Sequence, residues 1–235
     1  DRPGTLATIY NYPYYIEHYE RLGFEKEADW VEYLITVPDV FPEKFIRMAE
    51  IVKRKFNLHP VQLVSKKDTV ERYGQKIFDL LNEAYKDLFG FAKLTDEQIQ
   101  FYIKLYFSFF RLDTVVLVEN DEGDLIALGI AMPSFTKALQ KVKGKLFPFG
   151  WYHMLKAIKK NDLLDLYLIA VHPDYQNKGV NAILFAEMMP VAAKNGYVYA
   201  ESNPELETNT KITAHWDYFE HEIHKKRRVY IKAIK

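Results

Sequence analysis

Asp165-Leu-Tyr-Leu-Ile-Ala-Val-His-Pro-Asp-Tyr-Gln-Asn-Lys-Gly-Val-Asn181 is the stretch from which the fold is read. Leu166, Leu168, Ile169, Ala170 and Val171 form a short apolar run, the pattern of a buried strand. Pro173 ends it, because proline has no N–H to give to a ladder. Gln176 to Asn181 is a polar turn with one glycine, and behind it Ala182, Ile183, Leu184, Ala186 and Met188 resume at helical spacing. A strand that passes through a small turn into a helix leaves several amide N–H groups unpaired at one point, at the positive end of the helix dipole. Such a point holds an anion, and phosphate is the expected one. A lone glycine at such a place is also an ordinary turn, and neither G-x-x-x-x-G-K-[ST] nor G-x-G-x-x-G occurs in the chain.

The remaining composition narrows the classes. With 49% hydrophobic and 15% aromatic residues among 235, the chain is not disordered and is long enough for a sizeable core. It reads as one large domain or a domain with an appendage. A formal net charge of zero argues against a generic polyanion binder and leaves a local basic site open. The absence of cysteine excludes disulfides, thiolate zinc ligands and a thiol nucleophile, and fits a reducing compartment. No apolar run approaches ~18 residues and no basic-then-apolar leader opens the chain, so a soluble, cytoplasmic protein without a membrane partner is expected.

Asn11 to Phe24 reads as a helix closed by Gly23, followed by a strand from Glu25 to Ile35 with alternating apolar positions. Val37-Pro-Asp-Val-Phe-Pro42 is a proline-marked connection into an amphipathic helix over Glu43 to Phe56. Val61 to Val64 is a short predicted strand. Asp68 with Glu71, and Thr95 with Gln98, are capping-box patterns that open two helices, the second running to about Phe110. Its aromatic residues, Phe101, Tyr102, Tyr106, Phe107, Phe109 and Phe110, surround it on all sides and are assigned to burial. Thr114 to Val118 and Leu125 to Met132 form a hairpin around Asn120-Asp-Glu-Gly-Asp124. Between Pro133 and Asp162 lies an insert with Lys137, Lys141, Lys143, Lys145, Lys156, Lys159 and Lys160 and no acidic residue. Two helices are predicted there, around Phe147-Pro-Phe-Gly-Trp151. After the central strand, turn and helix come a strand over Tyr197 to Glu201, a helix from about Asn209 and a final strand.

The quoted stretch resembles the central motif of the GNAT acetyltransferase superfamily: a strand, then [RQ]-x-x-G-x-[GA], then a helix. Gln176 and Gly179 fall where that family's residues fall, and the element order over 61–235 matches its topology. The last motif position is Asn181 where the family usually has Gly or Ala; asparagine tolerates unusual backbone angles better than most residues. The resemblance implies an α/β fold with a central mixed, twisted sheet flanked by helices, and acetyl-CoA as cosubstrate. It places the backbone of Ile169, Ala170 and Val171 along the pantetheine arm, with an amide near Val171 polarising the thioester carbonyl. Gln176, Asn177, Lys178, Gly179, Val180 and Asn181 would hold the pyrophosphate, and Asn209 would touch the cofactor. It also divides the chain. Residues 1–36, whose Tyr-Glu-Arg-Leu-Gly-Phe ending is similar to the close of a GNAT domain, read as the remnant of a preceding GNAT-like domain or as an extension of a single one. Residues 37–60 would be a linker helix and 61–235 the GNAT domain. In this family the insert lies near the acceptor side, so it reads as a cap over the substrate or as a solvated basic surface.

For the chemistry, Glu201-Ser-Asn-Pro-Glu-Leu-Glu-Thr-Asn209 places three carboxylates at the end of the strand beside the central one. Glu201 or Glu205, and less readily Glu207, would deprotonate an ammonium; the same residues, with Thr208 or Asn209, also serve to cap a helix. Many family members carry a tyrosine seven residues after the asparagine, as the acid for the leaving thiolate. Here Trp216 stands there, and Tyr218 is the nearest phenol. Two functions stay open, with RNA or DNA binding through the lysine-rich insert as a third. One is an N-acetyltransferase moving acetyl directly to a primary amine of a small molecule or a peptide amino group; the other is a non-catalytic acyl-CoA-binding or interaction domain. His215, His221 and His224 with Glu220 and Glu222 match no ligand spacing, and no metal is expected. His172 reads as a strand-end histidine with a structural hydrogen bond. His224-Lys-Lys-Arg-Arg228 is expected to guard a strand edge rather than to contact nucleic acid. The chain stands alone or as a homodimer.

Overall fold

The computed structural model describes residues 3–6, 8–106, 110–209 and 215–234. The elements in chain order are α1 (Tyr14–Arg21), β1 (Glu25–Thr36), α2 (Glu43–Phe56), β2 (His59–Pro60), α3 (Lys66–Tyr85) and α4 (Asp96–Tyr106). They continue with β3 (Val115–Glu119), β4 (Leu125–Pro133), α5 (Thr136–Lys141), α6 (Gly150–Lys159) and β5 (Leu163–Val171). The last are α7 (Asn181–Lys194), β6 (Tyr199–Ser202), β7 (Glu205–Leu206) and β8 (His221–Ile231). The fold class is α/β, as expected. The chain sorts into two compact units, one of residues 1–37, 133–165 and 197–235, the other of residues 38–132 and 166–196.

In the second unit the strand order is β2-β3-β4, with the C-terminal part of β5 next to β4. Every residue of β4 is buried, and Leu117, Ala127 and Leu128 are fully enclosed. Asn120 shapes the β3–β4 turn: its side-chain oxygen accepts from the amides of Glu122 and Asp124 at 3.1 and 2.8 Å. α2 lies on α7 here, joined by Lys53 Nζ to Glu187 at 2.8 Å. The α4 capping box forms in both directions, Thr95 N to Gln98 Oε1 at 2.9 Å and Gln98 N to Thr95 Oγ1 at 3.3 Å.

Three sequence expectations are corrected in this unit. The strand expected at 61–64 is only His59–Pro60, although Val61 N still reaches Leu117 O at 2.8 Å. α3 is capped by Ser65, whose hydroxyl accepts from Asp68 N at 3.1 Å, rather than by Asp68. A serine three residues ahead of the acid satisfies the first free amides before Asp68 does. Phe101 is 61% exposed, so burial does not explain every aromatic of α4; Phe107 and Phe109 lie outside the described residues.

In the first unit β1 pairs antiparallel with β6, β7 and β8. Val198 N and Tyr199 N both donate to Asp162 O, at 2.9 and 3.0 Å, so β5 and β6 leave one point running the same way. That gives the mixed sheet. The two insert helices form on either side of residues 142–149. Gly150 opens the second because a Cβ there would stand 2.0 Å from the Lys145 carbonyl oxygen. α1 is shorter than expected, and Gly23, at φ 74°, follows it with its amide on Glu20 O at 3.0 Å.

The basic run corrects another expectation, because it lies on β8 and neutralises buried acids of β1 rather than merely guarding an edge. Asp29 is 3% exposed and receives Arg228 Nε and Nη2 at 2.7 and 3.0 Å, Lys26 at 2.8 Å and Lys226 at 3.0 Å. Glu32 is fully buried and meets Lys225 at 3.4 Å and also Arg227. Hydrogen bonds from Arg228, then from Lys26 and Lys226, hold the Asp29 carboxyl well below the usual range. That stability is present above the ordinary carboxylate value and is lost as pH falls through the depressed one. Asp29→Asn should therefore cost about 3 kcal/mol in urea unfolding at pH 7, and the gap should shrink in acid. An unchanged midpoint at pH 7 would show the network to be neutral.

Candidate functional site

In the second unit, β5 delivers the chain to the turn. His172 N donates to Ile126 O on β4 at 2.8 Å. Neighbouring residues of a strand aim their amides at opposite edges, so Val171 and Ile169 aim theirs away from β4. Two side chains already occupy carbonyls on that edge: Tyr85 Oη donates to Ile169 O at 2.6 Å and Gln176 Nε2 to Val171 O at 3.2 Å. Neither donor takes up the Val171 amide. Tyr85 is the last residue of α3, a position with no sequence motif to mark it.

The turn itself is exposed at Gln176, Asn177 and Lys178. Gln176 N donates back to His172 O and Pro173 O at 3.1 and 3.2 Å, and Ala182 N and Ile183 N donate to Gly179 O and Val180 O at 3.0 and 2.9 Å. The amides of Asn177, Lys178, Gly179 and Val180 enter none of these bonds. The unusual backbone angles fall at Asn177, φ 60°, and Gly179, φ 81°, while Asn181 is the first residue of α7. The strain that asparagine was expected to absorb at 181 is thus absorbed by an asparagine at 177. Val180 is buried, and Val52 of α2 sits 3.3 Å from where a Gly179 Cβ would stand. Lys178 Nζ lies 5.4 Å from the ring centres of both Phe56 and Tyr175, so a cation is held beside the turn. His172 Nδ1 accepts from Asp174 N at 3.3 Å, the structural hydrogen bond expected of it.

In the first unit the carboxylates separate by environment. Glu201 is 4% exposed, bound by Lys225, with His224 Nε2 at 3.6 Å. Glu32, Glu201 and His224 bring one ligand atom each within 4.8 Å of one another, but Lys225 and Arg227 already supply the compensating charge. Glu205 is different. Both its oxygens accept from Trp216 Nε1, at 3.2 and 3.1 Å. Burial pushes its carboxyl up to about 7, against the hydrogen bonds from Trp216 and Ser202. Trp216 is therefore the group that positions Glu205. Tyr218 stands 49% exposed in the short 310 turn Trp216–Tyr218. Glu207 faces Lys226 and Lys26 at the surface. Asn209 N donates to Leu206 O at 2.8 Å, and the helix expected beyond it falls on 210–214, outside the described residues.

Sequence reasoning passed over Asp165, although it opens the deciding stretch. It is 1% exposed, and among the described residues neither oxygen has a hydrogen bond of ordinary geometry, Ser134 being the nearby hydroxyl. Burial pushes it up to about 7, with Ser134 opposing, Glu201 adding to the rise and Lys225 opposing. The unfolded chain ionises this group at the ordinary 3.8, so between there and about 7 the folded state holds the extra proton and stability falls as pH rises. Asp165→Asn should relieve that cost, and its advantage over the parent should grow by about 2–3 kcal/mol between pH 5 and pH 8. Urea titrations at the two pH values measure it. A variant less stable at pH 8 would mean that Asp165 is a paired anion.

A strand with an outward-facing amide, followed by an exposed turn at the head of a helix, is the arrangement of an acyltransferase-like fold. Among solved structures, a GCN5-related N-acetyltransferase from Sphaerobacter thermophilus matches with a TM-score of 0.57 at 12% identity, over 92% of this chain and 55% of that one. The chain has the GNAT fold. It is 22% identical over 241 residues to Protein YghO of Escherichia coli, covering 100% of this chain and 60% of that protein. It is 27% identical over 224 residues to the bacterial ceramide synthase of Caulobacter vibrioides, covering 92% of this chain and 56% of that protein. The chain thus spans little more than half the length of these curated relatives. No protein-family model matches it.

Proposed function

We propose that this chain transfers an acyl group from an acyl-coenzyme A thioester to an amine. The observation that carries the reading is the Val171 amide, aimed away from β4, on the strand that leads into the exposed turn Gln176 to Lys178. The turn, with Lys178 beside it, takes the pyrophosphate; the Val171 amide takes the carbonyl oxygen as it becomes an oxyanion. An amine arrives as an ammonium and must lose a proton before it attacks. In the first unit, Glu205 at about 7 is partly ionised at neutral pH and has the proton affinity of such an acceptor. The C–N bond forms and the C–S bond breaks; the nitrogen releases its second proton to solvent, and the thiolate takes one from solvent, since Trp216 is no acid.

The resemblance implied an acetyl donor. The relative named as a ceramide synthase favours a second reading, a fatty-acyl donor and a long-chain amine, because a ceramide is the fatty-acid amide of a long-chain amino alcohol. Thiol release from acetyl-, decanoyl- and palmitoyl-CoA, each with spermidine, a dipeptide and sphinganine, separates the two. Binding of coenzyme A without release for any pair would support the non-catalytic reading. No binding at all would end both.

A further inference from the structure

We propose that the insert between β4 and β5 is a docking surface for an anionic phospholipid bilayer. The sequence led to the expectation of no membrane partner because no spanning segment exists, and among the described residues no helix is long and apolar enough to cross one. A surface contact needs no span. It needs apolar side chains held out in water beside lysines, and the insert has both. Phe147 is 82% exposed, Phe149 71%, Tyr152 56%, Leu146 50%, Leu155 50% and Trp151 49%. Residues 141–149 form a run in which only Val142 is not exposed, turning through Lys143 at φ 52° and Gly144 at φ 73°. On α6 the exposed positions are Trp151, Tyr152, Leu155, Lys156 and Lys159, the spacing of one helix face.

The fold spends contacts on holding this shape. Trp151 N donates to Leu146 O at 3.0 Å and its indole N–H to Pro148 O at 2.9 Å. Phe147 and Phe149 are thereby presented outward instead of collapsing on the unit. All seven lysines are exposed, and among the described residues only Lys137 is seen to meet an acid, Asp162 at 2.6 Å. Six cations with no acidic residue among them match a negatively charged lipid surface, and aromatic rings with lysines flanking them are the composition that settles at a headgroup boundary. Nucleic acid would use the same lysines and rings, but exposed Leu146 and Leu155 add apolar area that acyl chains cover and bases do not. This inference does not depend on acyl transfer.

The 235-residue chain should sediment with vesicles of phosphatidylcholine and phosphatidylserine at 7:3, and about tenfold or more weakly with phosphatidylcholine alone at the same salt. Phe147→Ser with Phe149→Ser, and separately Lys141→Gln with Lys143→Gln and Lys145→Gln, should each lower partitioning about tenfold or more while leaving thermal melting unchanged, because all five side chains are exposed. The emission of Trp151 should shift to the blue on mixed vesicles, and Trp151→Phe should lose the shift while still sedimenting. Failure to bind mixed vesicles, or equal binding to both compositions, overturns the proposal. So does a polyuridine oligonucleotide bound in preference to vesicles, or self-association in the ultracentrifuge that the Phe147/Phe149 variant abolishes.

Discussion

Gly179→Trp should weaken coenzyme A binding about thirtyfold, measured by calorimetry at fixed salt. Gly179 sits at φ 81° with Val52 Cγ2 3.3 Å from its missing Cβ. A side chain there meets Val52 on the α2 side, so the indole is expected to lie over the turn amides of Asn177 to Val180. The left-handed backbone costs a non-glycine residue about 1–2 kcal/mol, so the variant still folds. Charge-assisted hydrogen bonds are worth about 1.5–3 kcal/mol each, and the loss of one net bond to the pyrophosphate corresponds to about thirtyfold in affinity. Gln176→Ala should have a smaller effect, because that side chain serves the Val171 carbonyl rather than the turn amides. Unchanged affinity in Gly179→Trp would move the ligand elsewhere and take the acyl-transfer reading with it.

Glu205→Gln should lower the turnover number about 100- to 1000-fold with coenzyme A affinity unchanged, the range for loss of a general base. The base is the ionised form, so the parent's rate should rise with pH through about 7, where burial has placed the group. In the variant that rising limb should disappear. Trp216→Phe tests the positioning of the same carboxylate. It removes the indole N–H that stabilises the anion at 3.1 and 3.2 Å, so the limb should move to higher pH while activity persists. A profile in Glu205→Gln with the parent's limb intact would transfer the role to another group, with Asp165 the first to examine. Glu201→Gln is the contrasting change. Glu201 is bound by Lys225 beside His224, so the larger effect there should be on stability.

The sequence alone was sufficient for the strand, turn and helix around Gly179, because each part rests on local chemistry. An apolar run, a proline that cannot donate, a glycine that accepts a positive φ and an apolar period of 3.6 all act within a few residues. The same held for the β3–β4 hairpin, the α4 capping box and the two insert helices. What the sequence could not rank was which of several equivalent residues does a task. Asp68 and Ser65 both cap, and Asn177 and Asn181 both tolerate a strained turn; only the completed helices decided. The carboxylates show this most clearly. Glu201, Glu205 and Glu207 are the same chemistry within seven positions, yet pairing across strands gives Glu201 to Lys225, Trp216 to Glu205 and Lys226 to Glu207. Asp165 had no sequence signature, since an acid in an apolar strand becomes unusual only once its neighbours have closed over it. Local propensities are written in the order of residues, whereas desolvation and charge pairing depend on which distant residues share a place, and those are fixed only by the tertiary fold.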